Sequence, residues 1–139
     1  MSDAVRAVVA GHGDFAAGMV SAVQQITGRG AVFRTVTSRD LSGADLEAAI
    51  RKAIDETGAR VVFTDLQAGS CTMAARRVLR DRQDVLFVAG ANLPMLLDFA
   101  LSAEADAVEA ARHAIERGKA AISTVSQPQA TSHKPRAGS

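Results

Sequence analysis

An open, doubly wound α/β sheet is the fold this sequence predicts, and two patterns predict it. Short, apolar, β-branched runs recur along the chain, and between them lie amphipathic stretches of about a dozen residues with helical spacing. Strands separated by helices cannot pair as hairpins, so the sheet is parallel, with about four strands, and needs helices on both faces. Crossovers between parallel strands are right-handed in nearly every case, which leaves the doubly wound topology.

The elements follow in order. Val5 to Ala10 is an apolar run that stops at Gly11, as a buried strand would. Phe15, Met19, Val23 and Ile26 then recur at helical spacing until Gly28 and Gly30 end the segment. Ala31 to Val36 is the second strand. Ser42 and Asp45 stand in the capping-box spacing, and Leu46, Ala49, Ile50, Ala53 and Ile54 form the buried stripe of the helix they start. Gly58 closes it, Arg60 to Thr64 is the third strand, and Ser70 to Arg82 is a helix with arginines on its outer side. Val85 to Ala89 is the fourth strand, after which Asn92-Leu93-Pro94 opens a helix with proline where a missing N–H costs least. Ala105 to Gly118 is a further helix, and Ala120 to Val125 is predicted to be a short, weak last strand. From Gln127 the composition turns to Gln, Pro, Ser, Thr, Lys and Gly, which cannot offset the cost of ordering a backbone. The expected organisation is one domain over 1–126 and a disordered tail over 127–139.

Composition narrows the function. A chain of 139 residues, 47% hydrophobic, supports one core. Its 16 basic and 15 acidic residues leave a formal net charge of +1, too small a field to hold nucleic acid. No apolar run approaches the ~20 residues of a bilayer-spanning helix, and Met1-Ser2-Asp3 lacks a signal-peptide profile, so a cytoplasmic location is expected. The single Cys71 excludes an internal disulfide and any multi-Cys metal site.

Ligands of doubly wound sheets sit beyond the carboxyl ends of the strands, where strand order reverses. Two reactive side chains fall there: His12 after the first strand and Asp65 after the third. Imidazole is the side chain that offers a neutral, nucleophilic nitrogen near neutral pH, and the flanking Gly11 and Gly13 give room for another macromolecule to approach. A hydrogen bond from one ring nitrogen to Asp65 would fix the tautomer and leave the other nitrogen to attack. Ala68-Gly69-Ser70 leads into a helix whose unpaired amides favour an anion, so Gly13, Ala68, Gly69 and Ser70 are the candidate phosphate binders. Phosphoryl transfer of this kind calls for no metal or cofactor. Plainer roles compete: Asp65 as a cap or turn former, Ser70 as a cap, Cys71 as a buried filler, and Arg76, Arg77, Arg80 and Arg82 as a solvated face. His113 and His133 lack supporting residues and read as surface positions.

Three segments, Ala7-Val-Val-Ala-Gly-His-Gly-Asp-Phe-Ala-Ala-Gly18, Thr64-Asp-Leu-Gln-Ala-Gly-Ser70 and Ala89-Gly-Ala-Asn-Leu-Pro-Met-Leu96, give the chain its resemblance to a family. It resembles the IIA proteins of the mannose, fructose-mannose and N-acetylgalactosamine class of bacterial sugar phosphotransferase systems. The resemblance implies that His12 is phosphorylated on Nε2 by the carrier HPr and passes the group to a IIB component, with Asp65 as the orienting carboxylate. It further implies a homodimer that exchanges a C-terminal strand, for which Ala120 to Val125 is placed, and peripheral contact with the membrane permease components. It also places Asn92-Leu-Pro94 in a loop beside the site. One departure stands out: the family usually has Gly-Gly-Ser or Gly-Gly-Thr then proline where this chain has Ala68-Gly69-Ser70-Cys71, so a Cβ is expected at 68 where positive φ would resist it. The same features resemble, less closely, the phosphocarrier subunit of a dihydroxyacetone kinase. A receiver-like signalling domain with Asp65 as phosphoacceptor lacks the acidic pair after strand one, and a nucleotide-binding module lacks G-x-G-x-x-G and Gly-Lys-Ser/Thr.

Overall fold

The structure is a computed structural model that describes residues 4–126 together with 128 and 129. Its strands are β1 (Ala7–Gly11), β2 (Phe33–Thr37), β3 (Val61–Thr64) and β4 (Leu86–Ala89), joined in a 4-stranded parallel sheet of order β2-β1-β3-β4. Its helices are α1 (Phe15–Thr27), α2 (Gly43–Thr57), α3 (Ser70–Leu79), α4 (Leu93–Leu101) and α5 (Ala107–Ala120). The predicted doubly wound sheet is therefore the observed one.

Strand alternation builds two cores. Ala7, Val9, Val61, Phe63 and Val88 point to one face, where α1, α4 and α5 cover them through Val23, Leu96, Phe99 and Ala111. Val8, Ala10 and Val62 point to the other, against Leu46 and Ile50 of α2 and Ala74, Ala75 and Val78 of α3. The aromatic rings gather in the first core: Phe63 meets Phe99 edge-on with centroids 5.2 Å apart, and Phe33 lies 5.7 Å from Phe99.

Several boundaries differ from expectation for local reasons. Gly30–Val32 forms a 3-10 turn, so β2 begins at Phe33 rather than Ala31. Helix α3 ends at Leu79, and the chain turns back so that the Arg82 amide bonds the Leu79 carbonyl and its guanidinium pairs with Asp55 at 2.6 Å. Ser42 accepts from the Asp45 amide at 3.1 Å, the expected half of a capping box. The larger correction is at the end. Ala120 to Val125 forms no strand: Ala120 is the last residue of α5, and 121–126 continue as turn and bend without ladder bonds. Ile122 and Val125 are left exposed. Of the predicted disordered tail, all but 128 and 129 lies outside the described residues.

Parallel pairing sets the carboxyl ends side by side. Gly11 is in register with Thr37, Ala10 with Thr64, and Thr64 with Ala89. Strand order reverses between β1, which connects outward to β2, and β3, which connects to β4 on the other side. That crevice is the place where an open sheet binds ligands.

Candidate functional site

The loop after β1 is built before it is functional. An added Cβ on Gly11 would stand 2.5 Å from the Phe15 ring, so this glycine lets α1 start close against the strand. That corrects the expectation that Gly11 makes room for a partner. Gly13 does face open space, with nothing within 4 Å of a Cβ position and φ of 54°. The loop is tied down by the Phe15 amide to the His12 carbonyl at 3.0 Å, the Ser38 amide to the Gly11 carbonyl at 3.1 Å, and the Thr37 hydroxyl to the Gly13 carbonyl at 3.0 Å.

His12 then meets Asp65 across the crevice. Asp65 Oδ2 lies 2.8 Å from His12 Nδ1 and accepts the His12 backbone N–H at 2.9 Å. A carboxylate only accepts, so Nδ1 carries the ring proton and Nε2 keeps its lone pair. The imidazole is half in solvent, with 46% of its side chain exposed against 11% for Asp65. Burial acts against the charge on Asp65, yet the His12 backbone N–H and ring together outweigh it and hold the carboxyl below its ordinary value of 3.8. Its other oxygen, Oδ1, is buried with no hydrogen-bond partner among the described residues.

The third loop closes the site from the far side. Positive φ falls on Gly69, at 153°, and not on Ala68, so the strain expected at Ala68 does not arise. A Cβ on Gly69 would stand 3.1 Å from His12 Cε1, which makes glycine the residue that admits the ring. Gly69 occupies the N-cap position of α3 and no side chain caps that helix, so Ser70 is not the cap. Its hydroxyl instead lies 3.3 Å from His12 Nε2. Helical bonding begins with the Met73 amide to the Gly69 carbonyl, which leaves the amides of Ser70 to Thr72 unused by the helix at its positive end.

A buried polar relay, which the sequence reading missed, holds this loop. The Thr64 and Thr72 hydroxyls meet at 2.8 Å, and Thr72 also donates to the Leu66 carbonyl, locking the turn that carries Asp65 onto α3. Two threonines, one ending a strand and one in the first turn of the next helix, were the only signal. The Gly90 and Ala91 amides both bond the Thr64 carbonyl at 2.9 Å, which ties the segment leading into α4 to the end of β3. Asn92 caps α4 through the Met95 amide at 3.0 Å, and its own amide reaches the Gly118 carbonyl at 3.0 Å.

The other singled-out residues lie elsewhere. His113 is exposed but has a partner, Asp98 at 2.8 Å, contrary to the sequence reading; His133 is outside the described residues. Arg76 and Arg77 on α3 and Arg80 just after it are exposed. Cys71 is fully buried behind the site, and burial and then the Asp65 carboxylate push its thiol above the ordinary range.

Fold and site together define a class: an open-sheet α/β protein whose topological switch point presents a carboxylate-bound histidine beside a free helix N-terminus. Residues 6–116 match the family described as PTS system fructose IIA component, and the chain belongs to that family, the mannose-type IIA proteins of sugar phosphotransferase systems. IIA components of these systems are phosphotransferases that serve as phosphocarriers, which work with HPr and IIB components. A search of curated protein sequences gives no significant match. Among solved structures, the chain is similar to the mannose/sorbose specific IIA subunit from Enterococcus faecalis, with a TM-score of 0.75, 22% identity, and coverage of 93% of this chain and 100% of that one. It is similar to phosphotransferase system component EIIA from Streptococcus agalactiae, with a TM-score of 0.77, 20% identity, and coverage of 86% and 96%. It is also similar to the PTS IIA protein associated with the fucose utilization operon of Streptococcus pneumoniae, at 0.74 and 23% identity, with coverage of 90% and 96%. At these identities the likeness bears on fold. Among the described residues no helix is long and apolar enough to cross a membrane.

Proposed function

We propose that His12 is the phosphoacceptor of this chain, taking a phosphoryl group from phospho-HPr on Nε2 and passing it to a IIB component. The observation that carries the reading is the bond between Asp65 Oδ2 and Nδ1, which reserves the ring's lone pair for Nε2 on the open side. The Nε2 lone pair attacks phosphorus, the phosphorus–nitrogen bond to the donor imidazole breaks, and that electron pair returns to the donor ring. Positive charge gathering on His12 is met by Asp65 through the Nδ1 proton, so Asp65 orients and stabilises without itself being phosphorylated.

The transferring group develops charge on its oxygens, and what it needs is donors placed in advance. The Ser70 hydroxyl lies 3.3 Å from Nε2, and the unused amides belong to the same first turn of α3. The backbone of Gly13, Ala68 and Gly69 completes the cradle, and Ser70 gives up its contact with Nε2 as phosphorus arrives. The reading extends to a cytoplasmic protein that acts as a homodimer, with Ile122 and Val125, exposed in the single chain, covered by a second copy that takes 120–125 as a strand. Peripheral contact with permease components follows from the same role.

The test is transfer from a radiolabelled phosphate donor through enzyme I and HPr to the wild-type chain and to His12→Ala. Label on the wild type alone, acid-labile and alkali-stable as a phosphoimidazole is, supports the assignment; equal label on both rejects it.

A further inference from the structure

Three ligand-type side chains converge where the histidine reading uses only two. A ring nitrogen of His12, a carboxylate oxygen of Asp65 and the Sγ of Cys71 all lie within 4.8 Å of one another. They come from three places in the fold: the loop after β1, the loop after β3 and the first turn of α3. The set is also unfinished, because Asp65 Oδ1 is buried and has no hydrogen-bond partner among the described residues. Neither Cys71 nor that oxygen has a part in the transfer described above.

We propose that these residues form a binding site for a thiophilic divalent cation of the zinc type, which His12, Asp65 and Cys71 ligate with a fourth position open to solvent. One imidazole, one carboxylate and the thiolate that Cys71 becomes when the ion displaces its Sγ proton to solvent are a donor set that suits zinc rather than magnesium or calcium, which take oxygen. Bond lengths of ~2.0 Å to nitrogen and oxygen and ~2.3 Å to sulfur put tetrahedral ligands about 3.5 Å apart. The present separations reach 4.8 Å at most, so side-chain rotation of the order of 1 Å closes the set without moving the strands. The half-exposed His12 ring is the side from which an ion enters, and the buried sulfur is the innermost ligand.

Occupation of this site and phosphoryl acceptance exclude each other. Imidazole has two nitrogens and, when neutral, one proton. An ion on Nδ1 displaces that proton to Nε2 and removes the lone pair that attacks; an ion on Nε2 occupies it directly. Either way, metal holds the carrier in a silent form. The ion site rests on geometry alone, whereas this consequence rests on the histidine reading of the preceding subsection, so the two are read separately.

Cobalt(II) serves as the spectroscopic probe, because a thiolate on cobalt gives a near-ultraviolet charge-transfer band that nitrogen and oxygen ligands do not. Titration of the full chain is expected to give this band, saturating at one equivalent, with no band in Cys71→Ser. His12→Ala, an exposed substitution that spares the core, is expected to weaken cobalt affinity by at least about tenfold. Circular dichroism of Cys71→Ser checks that it folds; should it not, the band and its dependence on His12 decide the question. Absence of the band in the wild type, its persistence in Cys71→Ser, or unchanged affinity in His12→Ala would overturn the site. In a parallel labelling from phospho-HPr, saturating zinc is expected to suppress the label on this chain after the donor is purified away from enzyme I. Full labelling of a chain that gives the cobalt band would overturn the exclusion while keeping the site. A chain that never labels, with or without zinc, would reject the histidine reading and leave the cobalt result standing.

Discussion

Replacing Asp65 by asparagine isolates what the carboxylate does, because the substitution keeps shape and removes charge. The asparagine carbonyl can stand where Oδ2 stands and accept both bonds from His12, now as neutral ones. The opposite orientation would set an NH2 group against the His12 backbone N–H, two donors face to face, so the first is preferred. Its NH2 then falls at the buried Oδ1 position, where no partner waits. The wild type already leaves an unpaired oxygen there, so this orphan is not a new one, and the stability loss comes from exchanging charged for neutral hydrogen bonds. Transfer suffers separately. Hydrogen bonds to a charged group contribute about 1.5–3 kcal/mol against about 0.5–1.5 for neutral ones. The difference, about 1–1.5 kcal/mol, is felt as the ring becomes cationic. At about 1.4 kcal/mol per factor of ten, it slows phosphorylation of His12 by about 5- to 12-fold. Rapid-quench labelling from phospho-HPr measures the rate, and circular dichroism with thermal melting separates the stability loss from it. A variant that melts below the wild type but labels at the wild-type rate would remove Asp65 from the transfer step and reduce it to a structural anchor.

Other expectations follow from single distances. Gly69→Ala places a Cβ 3.1 Å from His12 Cε1 on a backbone with φ of 153°, so we expect a folded protein with a displaced ring and slowed labelling; a histidine ring spectrum identical to wild type by NMR would contradict this. Gly118→Ala should raise stability by about 1 kcal/mol on helix propensity alone. Here the new Cβ meets Met95 Cβ at 2.8 Å and Asn92 Oδ1 at 2.9 Å, and overpacking of this kind costs about 1–3 kcal/mol, so the melting temperature is expected to fall. A rise would show that α4 and α5 separate without penalty. Acid titration tests Asp65 again. Its folded-state pKa lies below 3.8, so its contribution is fully present above the unfolded value and is lost as pH falls through the folded one. Melting temperatures taken downward from pH 5 are expected to converge between wild type and Asp65→Asn; parallel curves would count against that sign.

The fold was legible because each element agreed with its neighbours: valine-rich runs ending at glycine, helical stripes starting at Ser42 and Asn92, and a helix between successive strands, which forces parallel pairing. The pairing of His12 with Asp65 was legible for the same reason, since topology alone brings the ends of β1 and β3 together. What could not be read were matters of a few ångströms. Gly11 and Gly69 look alike in sequence, but one admits the Phe15 ring and the other the His12 ring. Ser70 at a helix start reads as a cap, and only the orientation of its hydroxyl assigns it to the imidazole. The Thr64 and Thr72 bond and the His113 and Asp98 pair depend on how separate elements cross, which periodicity does not encode. Ala120 to Val125 misled because apolar, β-branched composition states a need for cover without saying which surface supplies it.

Asn92 carries one more implication. A single side-chain amide grips the start of α4 with its oxygen and the last turn of α5 with its nitrogen, while the backbone just before it hangs from Thr64. The exit of the final helix is thereby surveyed from the same benchmark as the reactive rim, although the two are far apart in sequence. Whatever follows α5 departs from a fixed bearing relative to His12, so a second molecule that grasps that departing segment also inherits a defined line of sight to the imidazole.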